Sequence, residues 1–282
     1  MNVVGSFLPP VTTVLVNWQE WQETISCVKD LRRMDYDNLT VVVVDNGSTN
    51  DSVQRLSGRD FVLLTADTNR GFGAGCNIGI RYALERGASY VWLLNNDALA
   101  DPDALRQLVK VAMEDPEVGV VGSLVTQASS NRTLCWGGGR VDLHTGRSHH
   151  ITGRGKLDFI SGVSMLLSAK AISDVGGFDE GYFMYWEDVD LCFRCRQAGY
   201  TMAVAEDSRI IHKESLSVGK GSLLQASYYS FSATRFMKKW SRHPKASVFI
   251  GCFGRALKSW AHLDLRRSKQ VVSAALSGWH SA

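Results

Sequence analysis

The segment Tyr90-Val91-Trp92-Leu93-Leu94-Asn95-Asn96-Asp97 decides how the rest of the chain is read. Tyr90 to Leu94 is apolar or aromatic throughout and has the length of a buried strand. It stops abruptly in two amides and a carboxylate. In an open parallel sheet, ligands bind outside the carboxyl ends of the strands. A carboxylate placed there can hold a hard divalent cation and, through it, a diphosphate. The alternative is that Asn95-Asn96-Asp97 makes a turn and caps a helix beginning near Pro102.

Working outward, strand and helix signals alternate. Val11 to Val16, Thr40 to Val44, Phe61 to Leu64, Tyr90 to Leu94 and Val118 to Val125 read as strands. Glu23 to Met34, Asp51 to Leu56, Gly73 to Arg86 and Asp101 to Met113 read as the helices between them. Pro102 falls in a first helical turn, where its missing N–H costs little. This order predicts an α/β fold with a mostly parallel, doubly wound, Rossmann-like sheet. The strands are apolar throughout rather than alternating, as covering both faces requires. Residues 127–158, rich in Gly, Ser, Arg and His, read as a loop or hairpin excursion. Phe159 to Leu167 resumes apolar character with a bend at Ser161-Gly162. Asp188 to Gln197 reads as a helix, Thr201 to Ala205 and Arg209 to His212 as short strands, and the chain from about Leu223 as helices only.

Of the 282 residues, 45% are hydrophobic and 21% charged, enough for one large domain plus an appendage. The net charge is only +3, but ten basic residues fall between Arg235 and Lys269, with Asp264 the only acid. That asymmetry points to an anionic partner, a membrane surface or nucleic acid, against the alternative of a solvated helix face. The six cysteines form no disulfide framework, and Cys192 and Cys195 lack a second pair for a zinc site. No secretory signal pattern opens the chain, and no run of about 18 apolar residues occurs. The expectation is a cytoplasmic protein, peripheral at most to the inner face of the membrane.

Three further segments carry chemistry. Asp45 closes a strand in Val44-Asp45-Asn46-Gly47-Ser48, where its carboxylate can accept the N3–H of a uracil or thymine or simply shape a turn. Asn69-Arg70-Gly71-Phe72-Gly73-Ala74-Gly75-Cys76-Asn77 precedes a helix, and its glycines let the backbone approach an anionic ligand. It follows the third strand and lacks the third glycine of the dinucleotide fingerprint, which excludes a nicotinamide or flavin reading. Asn77 could reach a nucleoside from the first turn. Glu187-Asp188 opens a helix, where acids are favoured by the dipole but where a carboxylate can also act as a general base. Tyr182, Phe183, Tyr185 and Trp186 before it suit either a sugar-stacking wall or ordinary core. His212 ends a strand and leads Lys213, Ser215, Ser217 and Lys220; it could join Asp97 on a metal or touch a diphosphate.

Taken in order, Val14-Leu15-Val16-Asn17-Trp18, Val44 to Ser48, Asn69 to Gly73 with Asn77, Leu94 to Asp97, Gly176-Gly177-Phe178-Asp179 and Glu187 to Leu191 resemble glycosyltransferase family 2, of the GT-A fold. The resemblance covers roughly residues 11–217 and is nearest the bacterial rhamnosyltransferase branch, which builds cell-surface polysaccharide on a lipid carrier. It implies a catalytic domain at 1–217 with a helical, basic C-terminal extension at 218–282. It implies inverting transfer of L-rhamnose or another hexose from a dTDP- or UDP-linked donor to a glycan or polyprenyl-diphosphate-linked acceptor. The implied donor site is Asn17, Asp45, Asn46, Gly71, Gly73, Asn77, Asn95, Asn96 and Asp97. Asp45 takes the base, Asp97 and His212 hold Mg²⁺ or Mn²⁺, and Asp188 of the Glu187-Asp188 pair is the catalytic base. Asn95 departs from the family's D-x-D motif, whose first acid it replaces. The basic, aromatic tail could lie along anionic lipid; no nucleic-acid motif supports the other anionic partner. Two other readings stand beside this one, a sugar-phosphate nucleotidyltransferase and a non-catalytic nucleotide-sugar binder. The first expects a basic glycine-rich loop after the first strand, where this chain has Asn17-Trp18-Gln19-Glu20.

Overall fold

The computed structural model describes residues 8–130, 132–213, 222–261 and 263–281. Ser215, Ser217, Lys220 and the 217/218 boundary lie outside them. The elements run β1 Val11–Asn17, α1 Trp21–Leu31, β2 Leu39–Asn46, α2 Ser52–Leu56, β3 Val62–Ala66, α3 Phe72–Glu85, β4 Tyr90–Leu94, β5 Ala98–Ala100, α4 Ala104–Glu114 and β6 Val118–Gln127. They continue with β7 Thr133–Trp136, β8 Gly138–Asp142, β9 Arg147–His150, β10 Phe159–Ile160, β11 Ser164–Ser168, α5 Ala169–Val175, α6 Glu187–Gln197 and β12 Thr201–His212. Three helices close the chain: α7 Leu223–Trp240, α8 Pro244–Ala261 and α9 Leu265–His280.

The main sheet has the order β3-β2-β1-β4-β11-β6-β12-β5, with β7 on β6. Successive side chains of its central strands enter opposite cores. Val14, Val42, Val44, Val91 and Leu93 pack with Cys76, Ile80 and Ala83 of α3 and with residues of α5, α6 and α7. Leu15, Val43, Trp92 and Leu94 pack with Cys27, Val28 and Leu31 of α1 and Leu105, Leu108 and Val109 of α4. Both faces are thus covered, which is why the strands carry no polar alternation.

The α/β architecture is the expected one, but the sheet is mixed in detail. β1–β2, β1–β4, β2–β3 and β6–β12 pair parallel. β11 runs antiparallel between β4 and β6. The reason is the route of the chain. After β6 it makes an excursion through β7 and the small sheet β10-β8-β9, and re-enters from the carboxyl ends of its neighbours. The register Ser164↔Leu94 then sets Ser161 and Gly162 beside Asn95, whose N–H donates to Val163 O at 3.0 Å.

Two local expectations change. The two short strands at 201–212 are one strand with a register break between Ala205 and Arg209. Asn95-Asn96-Asp97 does not cap a helix, because β5 intervenes and α4 starts only at Ala104. β5 pairs antiparallel with the end of β12, with Ala98 opposite His212. Ala233, Phe236 and Met237 of α7 pack in the same core as residues of α3 and α6. Among the described residues no helix is long and apolar enough to cross a membrane.

Candidate active site

A cleft of about 470 Å³ opens at the carboxyl ends of β2, β4 and β12. Of the residues singled out from sequence, Asn46, Gly71, Asn95, Asn96, Asp97, Glu187, Asp188 and His212 line it; Asn17, Asp45, Gly73 and Asn77 do not.

Two of the outlying four orient a strand end. Asn17 and Asp45 are partners across the β1–β2 ladder. Asn17 Nδ2 donates to Asp45 Oδ2 at 2.7 Å, Ser48 N donates to Asp45 Oδ1 at 2.9 Å, and Thr24 Oγ1 donates to Asn17 Oδ1 at 2.8 Å. Asp45 is therefore buried and holds the 45–48 turn, while its neighbour Asn46 faces the cleft. Asn77 serves as a clamp rather than a wall: its amide donates to Phe178 O at 2.9 Å and to Glu180 Oε1 at 3.0 Å, and accepts from Phe178 N at 2.8 Å. Gly73 packs against the Phe178 side chain, which a Cβ would meet at 2.9 Å.

Gly71 is required where it stands. Its φ of 99° is disfavoured for other residues, and a Cβ would sit 2.3 Å from Phe183 O. Asn46 Nδ2 donates to Asn69 Oδ1 and to Gly71 O, both at 3.0 Å. These contacts tie the β2 end to the glycine-rich turn at the mouth of α3.

At the centre, the β12–β5 pairing carries His212 to Asp97 across 115 residues of sequence, with Nε2 3.1 Å from Asp97 Oδ1. Asn95 Nδ2 lies 3.4 Å from the same nitrogen. One imidazole nitrogen cannot both donate to the carboxylate and accept from the amide. His212 Nε2 therefore makes one of these two contacts as a hydrogen bond at a time, and Asn95, Asp97 and His212 all border the cleft. Among the described residues no three His, Cys, Asp or Glu side chains gather on one point. Any cation here would rely on this pair, with further oxygens supplied by its ligand.

Opposite stands the acidic pair at the start of α6. Tyr185 and Trp186 adopt φ values of 68° and 71°, strained for non-glycine residues, and so present Glu187 and Asp188 to the cleft. Asp188 accepts from Gly162 N at 3.0 Å and from Val189 N at 2.8 Å. Burial pushes its carboxyl above the usual range, while Gly162 N–H and the charge of His150 oppose that shift. Burial and the neighbouring Asp188 push Glu187 up to about 8. Its Oε2 has no hydrogen-bond partner among the described residues. Burial thus raises both carboxyls of the pair, and the backbone N–H groups of Gly162 and Val189 favour the charged form of Asp188.

The aromatic run divides. Tyr182 is wholly buried, and Trp186 packs on Phe236 with ring centroids 4.9 Å apart; both are core, although Trp186 also borders the cleft. Phe183 and Tyr185 line the cleft and stay partly open. Sequence reasoning missed His150 on β9, Trp18 after β1, and Gln225 and Tyr229 on α7, all of which line the cleft. His150 shares a strand face with Ser148, another lining residue, and nothing in the sequence marks either. Burial lowers its pKa, and the charge of Asp188 works against that.

An acidic, glycine-bordered cleft at the strand ends of a mixed α/β sheet is the architecture of GT-A nucleotide-sugar transferases. The comparisons agree. Residues 12–176 match the pattern of Glycosyl transferase family 2. More than half the chain is covered, and the protein belongs to that family; it is a glycosyltransferase that draws on a nucleotide-sugar donor. It is 27% identical to the N-acetylglucosaminyl-diphospho-decaprenol L-rhamnosyltransferase of Mycobacterium tuberculosis, over 86% of this chain and 90% of that one. It is 26% identical to the dTDP-rhamnosyl transferase RfbF of Shigella flexneri, over 62% of this chain and 60% of that one. Among solved structures, the mannosyltransferase PcManGT of Pyrobaculum calidifontis, in complex with GDP-Man and Mn²⁺, superposes with a TM-score of 0.61 at 18% identity, covering 98% of this chain and 77% of that one. TarS of S. aureus gives a TM-score of 0.64 at 14% identity, covering 96% and 80%.

Proposed function

We propose that this protein transfers L-rhamnose, from a dTDP-linked donor, to a polyprenyl-diphosphate-linked glycan with inversion at the anomeric carbon. One observation carries the reading: Asp97 with His212, and Asp188 with Glu187, face each other across one cleft although they come from distant parts of the chain. The rhamnosyltransferase relatives support the choice of sugar, and the decaprenol-linked substrate of one supports the acceptor class.

The nucleoside end is assigned to Val16, Trp18, Asn46 and Asn69. Asp45 is assigned to the base: Asn17 and Ser48 hold its carboxylate by one hydrogen bond on each oxygen, and each oxygen keeps a lone pair with which to accept a pyrimidine N3–H. The residues fit a divalent ion, which Asp97 and His212 would hold; one carboxylate and one imidazole suit Mn²⁺ better than Mg²⁺, which prefers an all-oxygen shell. When bound, it would neutralise charge on the departing diphosphate. Asp188, held by Gly162 and Val189 N–H, accepts the proton of the acceptor hydroxyl. That oxygen bonds to the anomeric carbon as the bond to the diphosphate breaks, and the electron pair leaves with the nucleoside diphosphate. A lipid-linked acceptor supports a working position at a membrane surface, which we assign to the cytoplasmic face.

A thermal-shift screen of nucleotide sugars with and without Mn²⁺ tests this. A donor at a hundred times its Kd stabilises the folded state by about 2.7 kcal/mol, or roughly 5 °C in a domain of this size. dTDP-rhamnose with Mn²⁺ is expected to give that shift and to release dTDP when an acceptor is added. A larger shift and faster turnover with a UDP-hexose would overturn the donor assignment.

A further inference from the structure

The helix α8 is built inside out. The residues it turns toward the protein are small: Ser247, Gly251, Ala256 and Ser259 are buried. At Gly251 a Cβ would stand 2.8 Å from Thr145 O, so the helix lies almost backbone to backbone on the β8–β9 turn. Its large apolar residues point to solvent instead. Phe249 is 67% exposed, Phe253 55%, Leu257 48% and Trp260 59%. Their spacing puts them on one stripe of the helix. Phe249 and Phe253 stack with centroids 5.6 Å apart. Val272 and Leu276 of α9 are also exposed and border the same groove, an apolar hollow of about 470 Å³ between the two helices. A patch of this kind marks a docking surface rather than scattered surface hydrophobes.

Its charge says what docks there. Arg242, Lys245, Lys258, Arg266 and Lys269 are exposed around the stripe. Asp264, the only acid from residue 241 onward, has its carboxylate turned to cap α9 by accepting from Arg267 N at 2.9 Å. Aromatic and aliphatic side chains on one face, with cations at its margin and almost no opposing charge, match an anionic bilayer surface. A second copy of the chain would bring these cations against each other.

We propose that the α8–α9 face docks on anionic lipid bilayers, with Phe249, Phe253 and Trp260 entering the interface and the flanking lysines and arginines on the headgroups. This contact is independent of which sugar is transferred and from which donor. The full chain is mixed with vesicles of phosphatidylcholine alone or with phosphatidylglycerol added, at low and high salt, and sedimented. The expected result is co-sedimentation only with anionic vesicles, weakened by salt. The double substitution Phe249→Ser and Phe253→Ser is expected to weaken binding at least about tenfold while leaving the melting temperature and donor-induced thermal shift unchanged. Failure to co-sediment, equal binding by the double variant, or a salt-insensitive dimer that the double substitution dissolves would each overturn the proposal.

Discussion

The substitution Asp188→Asn separates chemistry from architecture. The wild-type carboxylate accepts two backbone N–H groups, Gly162 at 3.0 Å and Val189 at 2.8 Å. Asparagine is nearly isosteric but offers one oxygen, so one N–H faces an amide NH₂ and one charge-assisted hydrogen bond is lost. That costs about 1.5–3 kcal/mol. Relief of the burial penalty on the charge, which raises the Asp188 pKa, offsets part of it. A net loss of about 2 kcal/mol from a stability of roughly 5–15 kcal/mol leaves nearly every molecule folded. Loss of a general base, in contrast, lowers turnover by about 10²–10⁴, equivalent to roughly 2.7–5.5 kcal/mol of barrier. Release of nucleoside diphosphate at saturating donor, with donor affinity followed by thermal shift, reads the two effects apart. Turnover within about threefold of wild type, or a loss accounted for by weaker donor binding alone, would refute the role given to Asp188.

Three other outcomes are expected. Glu187 titrates in the folded protein near 8 rather than 4.5, so the folded state holds its proton more tightly than the unfolded chain. Its contribution to stability is present in full below 4.5 and is lost as pH rises to about 8; Glu187→Gln, which needs no proton, should gain in melting temperature over wild type across that window, and a pH-independent difference would count against the assignment. Asp190 is fully buried and receives Arg194 Nε at 2.8 Å, Lys239 Nζ at 2.9 Å and Trp240 Nε1 at 2.8 Å, joining α6 to α7. Asp190→Ala should cost about 3–5 kcal/mol and lower the melting temperature by about 6–9 °C, whereas a loss below 2 °C would show that the α6–α7 clamp is dispensable. His212→Ala should raise the Mn²⁺ concentration for half-maximal turnover by about tenfold or more, and an unchanged metal titration would remove His212 from that site.

The positions that were legible in advance are those where local chemistry and fold agree. Strands dominated by apolar and β-branched residues at Val11–Asn17, Leu39–Asn46 and Tyr90–Leu94, each ending in or followed at once by polar residues, required a sheet covered on both faces with its chemistry at one edge. Gly71 was legible because a backbone conformation closed to other residues leaves a glycine in the sequence. That Asp97 and Asp188 line the cleft was legible because each acid follows an apolar or aromatic run.

Partner choice was not legible, since it depends on contacts between residues far apart in the chain. Whether Asp45 faces the ligand or the turn depends on Asn17, opposite it only once β1 and β2 are in register. Asn77 reads as a ligand-facing amide until Phe178, 101 residues later, takes both its donor and its acceptor. His150 carries no motif; it enters the cleft because a small three-stranded sheet folds back over the mouth. The antiparallel course of β11 belongs with these, because strand direction is set by where the chain re-enters the sheet and not by the composition of the strand. Sequence by itself determined which residues must be buried and where the backbone needs special freedom, both being costs each residue carries on its own. Tertiary structure decided which polar groups face one another, because a hydrogen bond has no address until both partners are in place.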